Sequence, residues 1–240
     1  MAVPGSKSKP YVKDGIIVGV ATGIFAIGFG VLAVSSDLSV AQTMVMSLLV
    51  FTGASQFAAV GVIASGGSPA TAIGSALLLG ARNGFYAITM SRYISGSVWK
   101  RGLAAQLTID ESTALGTSQD DPEDIANAFW VGGVSVFVCW NVGTLIGALG
   151  GQAIGDPNAL GLDAAFPAGF ISLTAGALRT RAGRIAAASG FTIALVAVPF
   201  TRAGVPILLA AGGAVVALAL VRPTVAVGPA HPQDDGPGPS

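Results

Sequence analysis

The sequence predicts an all-α integral membrane protein of about seven hydrophobic helical segments, one of them broken or re-entrant. Two observations lead there. Apolar residues make up 52% of the 240 and charged residues only 10%, against about 25% in soluble chains. Long stretches also carry no ionisable side chain at all, and they exceed the ~20 residues that cross a ~30 Å hydrocarbon core.

Charges bracket the segments. Between Asp14 and Asp37 the run Gly15 to Ser36 is charge-free, which makes it a span rather than a cleaved leader, since it is long and shows no small-x-small cleavage site. The next charge is Arg82. The interval holds a second segment from about Val40 to Ala64, a Gly66-Gly67-Ser68-Pro69 break, and a third segment from about Ala70 to Met90 with Ser68 as cap and Pro69 as first helical residue. Residues 92–126 are the longest polar interruption. Arg92, Trp99, Lys100 and Arg101 read as an interfacial anchor, and Leu103 to Leu115 as an amphipathic stretch. Asp121 and Pro122 then open a fourth span, running to about Gly151. Further spans follow at about Leu160 to Leu178, Ile185 to Phe200 and Gly204 to Val221. The chain thus divides into a cytoplasmic tail (1–14), a transmembrane domain (15–221) with an amphipathic interruption at 92–126, and a Pro- and Gly-rich, disordered tail (222–240).

Basic residues cluster at Lys7/Lys9/Lys13, Arg92/Lys100/Arg101 and Arg179/Arg181/Arg184, with Arg222 at the end. The positive-inside rule wants all of them cytoplasmic. Three simple crossings between the first two clusters would forbid that, so one of the first three segments must not cross. The expected defect is Gly53-Ala54-Ser55-Gln56, where polar and small residues interrupt an apolar run. Glycine ladders at Gly15, Gly19, Gly23 and at Gly143, Gly147, Gly151, Gly155 have the spacing of close helix packing.

Composition excludes most catalytic chemistry. Cys139 and His231 are the single cysteine and histidine, so disulfides, His/Cys metal clusters and His-dependent triads are ruled out within the chain. No Walker motif appears, and the net charge of zero gives no reason to expect a nucleic-acid partner. No catalytic residue, cofactor or metal is expected.

Polar residues at membrane depth are the functional candidates. Arg82 lies about 18 Å into the third segment. A charge there costs about 2.5–3.5 kcal/mol even on lenient scales, so it either holds a substrate carboxylate or makes a structural ion pair with Asp110, Glu111 or a backbone carbonyl. Asn83 and Tyr86 complete either network. Ser55 and Gln56 bind solute through an unwound backbone or bond a neighbouring helix. Asp110 and Glu111 form a proton relay, or else Thr108-Ile109-Asp110-Glu111 is a capping box with Glu111 at the helix start. Asp163 is a further carboxylate for coupling, or an N-cap. A weak internal repeat between segments one to three and four to six would put a site between halves. An intramembrane aspartyl hydrolase using Asp110 and Asp163 is the enzymatic rival.

Five patches occur in order: Phe51-Thr52-Gly53-Ala54-Ser55-Gln56-Phe57, Arg82 to Tyr86, Asp110-Glu111, Trp140 to Gly147 and Leu160-Gly161-Leu162-Asp163. In these, the chain resembles the AzlC-type large subunit of branched-chain amino acid exporters. The resemblance implies a non-enzymatic secondary transporter in a bacterial inner membrane, and the basic clusters put its N-terminus in the cytoplasm. It also implies a small AzlD-type membrane subunit as partner and valine, leucine, isoleucine or methionine as exported substrate. On that reading Arg82 takes the carboxylate, Ser55 and Gln56 the amino group or backbone, and Asp110 or Glu111 the coupling. The chain departs from the pattern at Gly80-Ala81-Arg82-Asn83, where the family implies Asn-Leu-Arg-His; coupling and substrate therefore differ if that histidine carries protons. The alternatives are a permease for another small organic solute and a membrane scaffold without a solute path.

Overall fold

The computed structural model describes residues 9–154, 171 and 174–221; the tail from 222, Asp163 and most of the fifth segment lie outside them. Helix α1 (Pro10–Ser35) and helix α7 (Pro122–Ile154) form the backbone of the fold. They run parallel along their whole length. Gly15, Gly19 and Gly23 of α1 face Val131, Ser135 and Cys139 of α7, and Gly143 and Gly147 of α7 face Gly23 and Ile27. A methyl group on Gly143 would lie 2.0 Å from the Gly23 carbonyl oxygen, so only glycine permits this approach, and dispersion between closely packed backbones supplies the association that lipid does not oppose. Near Pro10, Lys9 donates to Asp124. That hydrogen bond, with the carboxylate's charge, holds the Lys9 ammonium above its ordinary range. The end of the molecule at Pro10 is here the near end, and that at Ser35 the far end.

Because α1 and α7 point the same way, the chain between them must return once from the far end to the near end. Helix α4 (Pro69–Met90) makes that return, at 22 residues about 33 Å long. Ser68 accepts from the Thr71 amide and Pro69 begins the helix, as the sequence predicts.

The second segment does not cross. Helix α2 (Val40–Val50) enters from the far end, the chain breaks at Phe51 and Thr52, and helix α3 (Gly53–Ala64) goes back out. Gly67, beyond α3, borders the same cleft as Ser36 and Asp37. The turn sits at mid-depth, with the Phe51 ring 4.8 Å from that of Phe137. Gln56 Nε2 donates to the Met46 carbonyl at 3.2 Å and Ser47 Oγ to Thr144 Oγ1 at 3.2 Å, tying the hairpin to itself and to α7.

Where the sequence suggests an amphipathic surface stretch over Leu103 to Leu115, the structure has a second re-entrant hairpin. Helix α5 (Val98–Gln106) dips in from the near end and helix α6 (Asp110–Thr117) returns to it. Leu107 packs on Gly133, and Gly116 on Ile125 and Phe129. Irregular backbone is tolerated at this depth because protein surrounds it: Leu107, Thr108 and Ile109 are all buried. Gln106 Nε2 donates to the Leu48 carbonyl at 2.9 Å, joining the tip of one hairpin to the other. The two units, α1 to α3 and α4 to α6, are therefore a span followed by a hairpin, running in opposite senses. Both hairpins open on a serine cap followed by valine, Ser39-Val40 and Ser97-Val98.

Helix α8 (Arg181–Ala197) precedes α9 (Val205–Ala210) and α10 (Gly212–Leu220). Gly204, at φ +88°, lets the chain turn beside Val62 and Thr71 at the far end. Arg181 begins α8 about 24 Å further along its axis, and α10 runs back against α8, with Ser189 Oγ donating to the Gly213 carbonyl at 3.2 Å. By length and composition, Pro10–Ser35, Pro122–Ala153 and Arg181–Phe200 are apolar enough to cross a membrane.

Candidate functional site

The tips of the two hairpins meet α1, α4 and α7 around a cavity of about 280 Å³. Its walls are apolar, from Ala21 and Phe25 of α1, Phe51 at the first break, Ile109 at the second and Val136 and Trp140 of α7. Val136 is 14 residues into α7, about 21 Å from its start, so the cavity lies near mid-depth. Toward the far end it is closed by aromatic packing: Phe25 and Phe29 lie 5.1 and 5.5 Å from Phe57, and 6.4 and 6.3 Å from Trp140.

Into this greasy space project three ionisable side chains, Arg82, Asp110 and Glu111. Arg82 donates through a terminal nitrogen to Asp110 Oδ1 at 3.2 Å, both side chains being a little over one third exposed. Of the two readings the sequence offers for Arg82, the structure shows the ion pair, with Asp110, and both residues line the cavity. Glu111 follows Asp110 in the first turn of α6. The capping-box alternative fails geometrically. Thr108 Oγ1 turns back to the Ala104 carbonyl at 2.7 Å, closing α5, and the amide that needs capping, Ile109 N–H, donates instead to Ser112 Oγ at 3.1 Å. Glu111 is left facing the cavity with Asp110, on the positive end of a short helix.

The other half of the cavity is backbone. Gly53 and Ala54, the first residues of α3, line it, and the preceding Thr52 makes no side-chain cap to the helix; its hydroxyl instead pairs with Ser55 Oγ at 3.2 Å. Ser55 and Gln56 are fully buried one step behind this lining, Gln56 holding Met46 with its amide while its Oε1 has no partner. Asn83 and Tyr86 are half-buried on α4 beside Arg82 and do not line this cavity; Asn83 Oδ1 is buried and unpartnered. Asp163 lies outside the described residues. What sequence reasoning did not name as site residues are Trp140 and Gly53, the glycine that opens α3. The signal was present in both: each stands inside a patch already singled out, Trp140 to Gly147 and Phe51 to Phe57.

Comparison with known proteins places these elements in one sequence family. The sequence model of the family described as AzlC protein matches residues 17–154, a stretch that contains both hairpins and every residue lining the cavity. The chain is 28% identical over 152 residues to an uncharacterized membrane protein of Haemophilus influenzae, covering 61% of this chain and 59% of that protein. It is 27% identical over 126 residues to an uncharacterized membrane protein of Helicobacter pylori, covering 52% and 55%. In both, the match spans less than two thirds of the relative's length. No solved structure matches the chain.

Proposed function

This chain belongs to the AzlC family, and from that membership we propose that it is the large subunit of a secondary transporter that exports branched-chain amino acids and methionine. Its partner in this reading is a small AzlD-type membrane subunit. The observation that carries the reading is the composition of the mid-depth cavity: apolar walls around one guanidinium and two carboxylates. An amino acid with an aliphatic side chain is a zwitterion on a greasy stem and needs a positive pole, a negative pole and an apolar pocket. Arg82 provides the first, Asp110 and Glu111 the second, Phe25, Phe51 and Val136 the third. Ser55 and Gln56 act behind them, holding the hairpin tip through Thr52 and Met46, and Asn83 and Tyr86 stand beside Arg82 on α4.

Charge counting supplies the coupling. With Arg82 offset by Asp110, Glu111 leaves the site one negative charge in excess, and an uncompensated charge at this depth is expensive. A proton on Glu111 removes that excess, the substrate's ammonium pairs with the same carboxylate, and the two exclude each other. Alternate occupancy by proton and amino acid is antiport, which drives export from an inward proton-motive force. The distribution of charge supports this reading: Lys9, Lys13, Arg92, Lys100, Arg101 and Arg181 lie at the near end and Arg202 at the far end, the asymmetry expected if the near end and the N-terminus are cytoplasmic. No covalent chemistry is assigned to the site: Asp110 is engaged by Arg82, and Asp163, the second carboxylate of the hydrolase reading, lies outside the described residues.

The test is efflux of preloaded valine, leucine, isoleucine and methionine from cells lacking their own exporters, expressing this chain with and without the neighbouring small subunit. Faster efflux with both subunits, abolished by a protonophore, is the expected result. Unchanged efflux of all four from cells with confirmed membrane insertion overturns the substrate assignment in favour of another solute or of a scaffold.

A further inference from the structure

Arg82 is the obvious seat for a carboxylate, yet its charge is already shared with Asp110 at 3.2 Å. A second group of donors, the first-turn amides of α3, belongs to residues that line the same cavity and has no side-chain cap among the described residues. Helix α3, 12 residues long, begins at mid-depth with Gly53 and Ala54 on the cavity wall. Its amides have no capping side chain, because the Thr52 hydroxyl is turned to Ser55. In water such an end is satisfied by solvent; in an apolar cavity unsatisfied first-turn N–H groups are costly and attract an anion. The independent observation is Trp140. It is only 5% exposed, it lines this cavity, and its indole Nε1–H is buried with no hydrogen-bond partner. Indole N–H groups normally find an acceptor when buried. Its six-membered ring lies directly over Gly53, where an added Cβ would come within 2.7 Å of Cη2. Glycine at this position thus lets the indole and the helix end share one small space.

We propose that the first turn of α3, at Gly53 and Ala54, together with the Trp140 indole N–H, is the seat of the substrate's carboxylate. Arg82 then acts through its field and through its hold on Asp110, which with Glu111 receives the ammonium. The two hairpin tips divide the zwitterion between them, the α3 end taking the anionic group and the acidic α6 end the cationic one. This assignment rests on the amino-acid reading above and sharpens it: a free α-carboxylate is required, and amides and esters of the same amino acids are poor substrates.

The test compares leucine with leucinamide, which keeps the ammonium and side chain but not the carboxylate, in proteoliposomes holding the full chain and its small subunit. Trp140→Phe preserves the ring over Gly53 and removes only the N–H. A hydrogen bond to a charged acceptor corresponds to about a tenfold or greater change in affinity, so the variant is expected to raise the leucine KM about tenfold, with little change in maximal rate. Competition by leucinamide stays at its parental strength. Equal weakening of both ligands assigns Trp140 a merely structural role and overturns the proposal, as does an unchanged leucine KM. Parental protein that transports leucine while Trp140→Phe behaves identically removes this seat alone; parental protein that transports no leucine removes the amino-acid reading and the seat with it.

Discussion

Arg82→Ala protein is expected to lose transport entirely and to be less stable than the parent, whereas Arg82→Ala/Asp110→Asn protein regains the stability and not the transport. The asymmetry follows from the ion pair. Removing one member of a buried pair leaves the other charge uncompensated, at about 3–5 kcal/mol. With both side chains over one third exposed, solvent screening lowers that to about 2 kcal/mol, a fall of roughly 4–8 °C in thermal midpoint for a chain of this length. Deleting both charges removes the orphan and restores the midpoint. It restores neither the field of Arg82 nor the Asp110 carboxylate that shares the substrate's ammonium with Glu111, so transport stays abolished. Thermal unfolding in detergent and leucine counterflow in proteoliposomes check the two halves separately. Parental counterflow by Arg82→Ala would remove the arginine from the site.

Glu111→Gln separates exchange from coupling. With glutamine at this position the site is neutral without a proton, since Arg82 and Asp110 offset each other. The substrate ammonium retains Asp110 as partner, so leucine–leucine exchange continues. Accumulation driven by an imposed pH gradient falls about tenfold or more, to the level of equilibration, because no group remains that must choose between a proton and the ammonium. Glu111→Asp keeps the charge and retains part of the coupling. Gradient-driven accumulation persisting in Glu111→Gln would assign the proton to another carboxylate.

Much of this architecture is legible from charge placement, and the exceptions share a cause. The interval from Asp14 to Asp37 defines α1, and the pairs Ser68-Pro69 and Asp121-Pro122 mark the starts of α4 and α7, where the Asp121 carboxylate accepts the Glu123 amide at 2.8 Å. These signals are local, so a sequence displays them. The break at Phe51 is legible for the same reason, because the small and polar run after it cannot be an uninterrupted lipid-facing helix. The hairpin of α5 and α6 is not. Asp110 and Glu111 look like interfacial residues to any measure of hydropathy, and only the pairing of Asp110 with Arg82, 28 positions earlier, shows that they lie at depth. Thr108 illustrates the same limit: its spacing to Glu111 fits a cap, but the end of α5 claims its hydroxyl first. The glycine ladders announce close packing without saying which helix approaches or in which sense, and the parallel pairing of α1 with α7 emerges only from the contacts. Trp140 reads as a packed aromatic until its N–H is seen to lack a partner.

The most direct measurement is substrate protection of a single cysteine placed in the cavity. Ala21 lines it from α1 and makes none of the polar contacts described, so Ala21→Cys in a Cys139→Ala background reports occupancy without removing a binding group. Saturating leucine is expected to slow alkylation of this cysteine by a small maleimide severalfold, while alkylation of Asp37→Cys, at the far-end loop, proceeds unchanged. Equal alkylation of Ala21→Cys with and without leucine, in protein that transports leucine, would place the solute path elsewhere and contradict the cavity at the meeting of the two hairpins as the site.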